Sequence, residues 1–128
     1  MDLDLDIARD PTAPARARQA VGTLKGHLDK DVLADTVLLV SELVSNSVKY
    51  GDGTIGLRVR THANRQVLVE VLDEGDGFER RFRRVSEYEA GGLGLRLVDR
   101  LANDWGVHDG AAHIWFEIDR SADFVAAA

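Results

Sequence analysis

Three short stretches hold residue types that could do chemistry. The first is "ELVSNSVKYG", where Glu42 and Asn46 stand four residues apart, Tyr50 follows four further on, and Lys49 lies beside it. On a helix that spacing stacks the three on one face. The same helix carries Val37, Val40, Leu43, Val44 and Val48. A carboxylate and an amide against so much apolar surface cost free energy unless paired or solvated. As oxygen donors the pair suits a hydrated Mg²⁺, an ion that keeps several waters and takes few protein ligands. The plainer reading is an exposed helix edge with ordinary polar residues, and this stretch alone leaves both open.

The second stretch is "VLDEGDGF". A buried-looking strand ends in Asp73, followed by Gly75 and Gly77. Glycines there let the backbone turn sharply or approach a ligand closely. The carboxylate could accept a hydrogen bond from an exocyclic amine, or the segment could be a simple Gly/Asp turn. The third is "GGLGLRL", residues 91 to 97, opening a helix. Unpaired N–H groups at a helix start attract phosphate, and glycines let its oxygens come close. No Gly-Lys-Ser/Thr follows, so it is not a P-loop. A charged loop rather than a strand precedes it, so it is not a dinucleotide fingerprint either.

These stretches need elements to hold them. "DLDLDIA" alternates acid and apolar residues as a half-buried edge strand does. Residues 13–28 and 31–50 have helical spacing, and Gly51 and Gly53 stop the second helix. "TIGLRVRT" and "QVLVEVLD" read as strands joined by a turn over 62–65. A long charged connection follows, with four arginines, Arg80, Arg81, Arg83 and Arg84, within five positions. Its length suits a lid over residues 78–91, hinged at Gly77 and Gly91, while its charge also suits a solvated loop. Residues 92–103 return to helical spacing, and strands near 104–109 and 112–119 meet at a turn on Asp109-Gly110. The order predicts an α+β fold. It is a two-layer sandwich whose mixed, mostly antiparallel sheet is covered on one face by three helices.

The chain has 128 residues, 45% of them hydrophobic and 30% charged. That suits one domain over 1–120, with 121–128 expected as a frayed tail. A net charge of −6 excludes the concentrated basic face of a general nucleic-acid binder. The chain has no cysteine, no apolar run of about 20 residues, and an acidic start, so neither a disulfide framework nor a membrane span is expected. These features together predict a cytoplasmic protein. His62 and His108 read as surface residues, and Trp105 and Trp115 as core or interface.

In their order and spacing, "ELVSNSVKYG", "DEGDGF" and "GGLGL" resemble the N-box and the two glycine boxes of the GHKL, or Bergerat-type, ATP-binding fold. The ending "DWGVHDGAAHIWFEID" is similar to that of the anti-sigma-factor serine kinase branch. The resemblance covers nearly the whole chain. It implies ATP and Mg²⁺ as cofactors and a serine/threonine-protein kinase that holds a sigma factor and phosphorylates a small antagonist protein. A homodimer is the common assembly of that branch. By the resemblance Glu42 is the general base and Asn46 the metal ligand, with Lys49 and Tyr50 near the phosphates. Asp73 accepts from the adenine amine, Gly75 and Gly77 shape the base pocket, and Gly92, Leu93, Gly94 and Leu95 meet the phosphates. The chain departs from the branch at Tyr50, where histidine is usual, and at His113, read as standing where a threonine helps hold the adenine-binding aspartate. A non-catalytic ATP-sensing or protein-interaction module of the same fold is the alternative.

Overall fold

The computed structural model describes residues 1–75, 95–108 and 112–121. The expected lid, Gly77, Gly92, Leu93, Gly94, the Asp109-Gly110 turn and residues 122–128 lie outside them. In chain order the elements are β1 (Asp2–Ile7), α1 (Ala13–Gly22), α2 (Lys30–Tyr50), β2 (Ile55–Ala63), β3 (Gln66–Leu72), α3 (Leu95–Leu101), β4 (Asp104–Val107) and β5 (His113–Asp119). The strands form one sheet in the order β1-β2-β3-β5-β4. Every pairing among them is antiparallel.

Alternation along the strands decides which face is covered. Ile55, Leu57 and Val59 of β2, Val67, Val69 and Val71 of β3, and Ile114, Phe116 and Ile118 of β5 are all buried. They meet Ala17, Val21, Leu39, Val40, Leu43 and Val44 from α1 and α2 in one core. Asp4, Arg58, Glu70 and Trp115 occupy the intervening positions on the other face, where no described helix packs. No described helix is long and apolar enough to cross a membrane.

Helix α2 is rich in valine, which loses rotamer freedom in a helix. Each such residue costs at most about 0.7 kcal/mol in propensity, whereas burying its side chain contributes roughly 1.5–3 kcal/mol. Tertiary burial therefore dominates, and α2 exists because the sheet covers its apolar stripe. Helix α1 is shorter than its sequence spacing predicts. After Gly22 the backbone tightens to three-residue hydrogen bonds, Leu24 to Val21 and Lys25 to Gly22 at 3.0 and 3.1 Å. The Thr23 hydroxyl also takes the Ala20 carbonyl at 2.6 Å. Leu24 and Leu28 still reach the core, so periodic burial outlasts the helix. Strand β2 runs to Ala63, two residues into the predicted turn, with a register shift between Thr61 and Ala63.

The start of α2 is pinned by charge. Arg65, at the β2–β3 turn, donates to Asp29 at 2.7 Å and Asp31 at 3.3 Å. Arg120, at the end of β5, donates to Asp31 at 3.3 Å and also to Asp35. The two arginines are joined through Arg65 Nε and the Arg120 carbonyl at 2.9 Å. Burial opposes the charge on Asp31, but the hydrogen bond from Arg120 and the charge of Arg65 outweigh it and hold its carboxyl below the ordinary value. Arg120→Ala is expected to destabilise the fold by about 1.5–3 kcal/mol, the range for a hydrogen bond to a charged group. Urea unfolding measures this, and an unchanged midpoint would show that the pair only decorates the surface.

Candidate active site

Glu42, Asn46 and Tyr50 sit on successive turns of α2, all part-buried, with Lys49 exposed beside them. Tyr50 packs against the core. The Asn46 side-chain nitrogen is buried and has no hydrogen-bond partner among the described residues. A buried amide without a partner costs about 1–3 kcal/mol. Such a cost is commonly kept where a group is held ready for a ligand. By contrast, the buried Thr36 hydroxyl on the same helix donates to the Val32 carbonyl at 2.7 Å.

Asp73 stands just past β3, whose side chains alternate so that Val71 and Asp73 face the helices. Its Oδ1 accepts from the Gly75 N–H at 2.8 Å, which sets the turn after the strand. The Asp73 N–H donates to the Ala112 carbonyl at 2.9 Å, which ties the aspartate to the start of β5. The Asp73 carboxylate lies against the end of α2, where a β-carbon on Gly51 would come within 2.3 Å of Oδ2. The fold therefore brings the C-terminal end of α2, at Gly51, against the aspartate that follows β3. Leu95 opens α3 and packs on the same core. The remaining predicted members, Gly77, Gly92, Leu93 and Gly94, lie outside the described residues.

His113 does not take the place expected for it. It pairs with Leu72, while Asp73 bonds to the backbone of Ala112. Alternation then puts Ala112 on the side of Asp73 and His113 on the opposite face of the sheet. The residue beside the aspartate is thus a buried alanine with no hydroxyl to offer. The register of β5 decides this, and one position of shift reverses every side chain.

On that far face the His113 ring lies 4.1 Å from the His108 ring, and its Nε2 is 3.8 Å from the Glu70 carboxylate. Burial first, then His108, holds His113 below the ordinary histidine value of 6.5; Glu70 pulls upward and Arg58 downward. The unfolded chain then binds more protons than the folded one as pH falls below 6.5. Stability contributed by neutral His113 is present above that value and is lost as pH drops toward its folded pKa. Urea midpoints should fall on acidification more steeply for the wild type than for His113→Gln. Parallel curves would assign the acid sensitivity to other groups.

No group of three or more histidine, aspartate or glutamate side chains that could hold a metal ion occurs among the described residues. Sequence reading missed Gly51 and Glu74 as parts of the site. Gly51 does end α2, as expected, and only a contact between distant segments gives it the Asp73 carboxylate as a second neighbour.

No curated protein matches the chain. The fold is similar to that in the crystal structure of the RsbU and RsbW domains of Rv1364c from Mycobacterium tuberculosis. The TM-score is 0.64 at 20% identity, over 92% of this chain and 31% of that one. The model of the histidine kinase-like ATPase domain matches residues 7–118. That span takes in every described helix, strands β2 to β4 and the candidate site, and the chain belongs to the histidine kinase-like ATPase domain family.

Proposed function

We propose that this chain is a Mg-ATP-dependent serine/threonine-protein kinase of the anti-sigma-factor type, which holds a sigma factor and phosphorylates a small antagonist protein. The observation that carries the reading is the side-chain nitrogen of Asn46, buried with no hydrogen-bond partner among the described residues, one turn from Glu42 and on the helix whose end meets Asp73. An amide held without a partner suits a ligand. Its neighbours supply the rest of a nucleotide site, a carboxylate for a hydroxyl proton and a strand-end aspartate for a base amine. Membership of the ATPase family and the likeness to a structure containing an RsbW domain support the same reading.

In this mechanism Asp73 accepts a hydrogen bond from the adenine amino group and fixes the base. Asn46 would hold Mg²⁺ through its amide oxygen, with Lys49 and Tyr50 near the phosphates, and the ion, when bound, would supply positive charge for the phosphates. Glu42 accepts the proton of the serine or threonine hydroxyl as that oxygen bonds to the γ-phosphorus. The bond from the γ-phosphorus to the β,γ-bridging oxygen breaks, and ADP leaves with the electron pair. Glu42 is left protonated and returns its proton to solvent.

Calorimetry with ATP, with and without Mg²⁺, tests the nucleotide half of the proposal. Labelled ATP with an antagonist protein encoded beside this chain tests the transfer. The expected result is Mg-dependent binding and label on a serine or threonine. Absence of ATP binding would overturn the proposal; binding without transfer would reduce it to an ATP-sensing module.

A further inference from the structure

The segment "GDG", residues 51–53, follows α2, and "DE", residues 73–74, follows β3. The structure seats one on the other. A β-carbon on Gly51 would lie 2.3 Å from Asp73 Oδ2, 2.8 Å from its Cγ and 2.7 Å from the Ser47 carbonyl. Gly53, at φ +65°, lies under the next carboxylate: a β-carbon there would fall 2.5 Å from Glu74 Cδ and 2.8 Å from its Cβ. Two backbone-directed bonds close the pair, Glu74 N–H to the Asp52 carbonyl at 2.9 Å and Thr54 N–H to Glu74 Oε2 at 3.3 Å. The Gly51 N–H meanwhile bonds to Ser47 at 2.9 Å, so this glycine is also tied to the helix.

Gly51 does not need a glycine for its dihedrals, since φ −92° and ψ −171° are open to any residue. What it needs is the absence of a side chain. The space a methyl would fill is occupied by the Asp73 carboxylate, and the helix carbonyl on the other side blocks retreat. Gly53 needs both properties, a positive φ and an open α-carbon.

From this packing we infer that Gly51 is a positioning residue that sets where the Asp73 carboxylate sits, and so sets base specificity, with Gly53 and Glu74 holding the clasp closed. The inference rests on the nucleotide reading of Asp73 proposed above. The clasp joins the two ends of that site. The phosphate-side row and the base-side aspartate belong to segments 20 or more positions apart, and the Thr54–Glu74 bond spans that separation. A methyl on Gly51 strikes both the carboxylate and the Ser47 carbonyl, and the carboxylate, at the closer distance and at the end of a side chain, gives way further than the helix backbone. A purine's exocyclic group would then meet a displaced acceptor.

The test compares ATP with inosine triphosphate, whose 6-oxo group cannot donate to a carboxylate. The wild type should prefer ATP by about 10- to 100-fold, the range for one charged hydrogen bond. Gly51→Ala should lower ATP affinity by a similar factor, leave inosine triphosphate affinity near its wild-type value, and so collapse the preference. Loss of affinity for both nucleotides in equal proportion would overturn the inference and indicate a general structural role, as would a preference unchanged by the methyl. A wild type that binds neither nucleotide would instead remove the nucleotide reading, and the inference with it. A second measurement needs no nucleotide and covers poor folding of the single variant. Asp73→Ala removes the carboxylate that the methyl strikes, so in a double-mutant cycle of urea midpoints Gly51→Ala should cost clearly less in the Asp73→Ala background. Additive costs would show that the carboxylate does not rest on Gly51.

Discussion

Glu42→Gln is expected to leave ATP affinity near its wild-type value and to slow phosphotransfer by about 10²–10⁴-fold, the usual span for losing an acid–base group. The side chain lies part-buried on α2, one turn before Asn46. Glutamine keeps its length and its ability to hydrogen-bond, and removes only the basic oxygen. A general base acts on the attacking hydroxyl, so it lowers the transition state more than it strengthens ground-state ATP binding. The loss should therefore fall on the rate of transfer at saturating ATP. If Glu42 were an ordinary helix-edge residue, glutamine would change neither quantity. Labelled ATP, the antagonist protein and both forms of the chain decide the matter, and equal transfer by the two forms would strip Glu42 of its role.

The second large effect is expected at Asn46, and its signature is opposite changes in stability and affinity. Its amide nitrogen is buried without a hydrogen-bond partner among the described residues. Asn46→Ala removes that group, so the fold should be unchanged in stability or gain up to about 1–2 kcal/mol. The same change removes the oxygen proposed to hold Mg²⁺. Affinity for ATP in Mg²⁺ should fall by at least the roughly 10–100-fold that loss of even an outer-shell partner of a metal site commonly costs. The gain in ATP affinity on adding Mg²⁺ should vanish with it. Thermal or urea unfolding of the apo protein gives the first quantity and calorimetry with and without Mg²⁺ the second. A destabilised variant with intact Mg-dependent binding would make Asn46 a structural residue and reassign the metal.

Much of the architecture is legible in local patterns because one physical effect dominates them. Val67, Val69 and Val71 alternate along β3, and Val40, Leu43 and Val44 recur on α2, since each must leave water on one face. The Glu42–Asn46–Tyr50 row is legible for the same reason: helical spacing alone puts three residues on one face. Where local forces balance, the reading was less sharp. The end of α1 depends on a threonine hydroxyl competing for a carbonyl, and the end of β2 on a register irregularity, neither of which changes the apolar period.

The sequence by itself determined the element order, the two-layer class, the apolar faces and the residue types available to a site, because these follow from periodicity and side-chain chemistry. Tertiary structure alone decided which of those residues meet. The β3–β5 register turned His113 away from Asp73 and put Ala112 beside it. The approach of α2's end to β3's end made Gly51, the residue that stops α2, also the surface on which a carboxylate rests. Both are contacts between segments far apart in the chain, and they depend on register and on ångström-scale packing that no local pattern encodes.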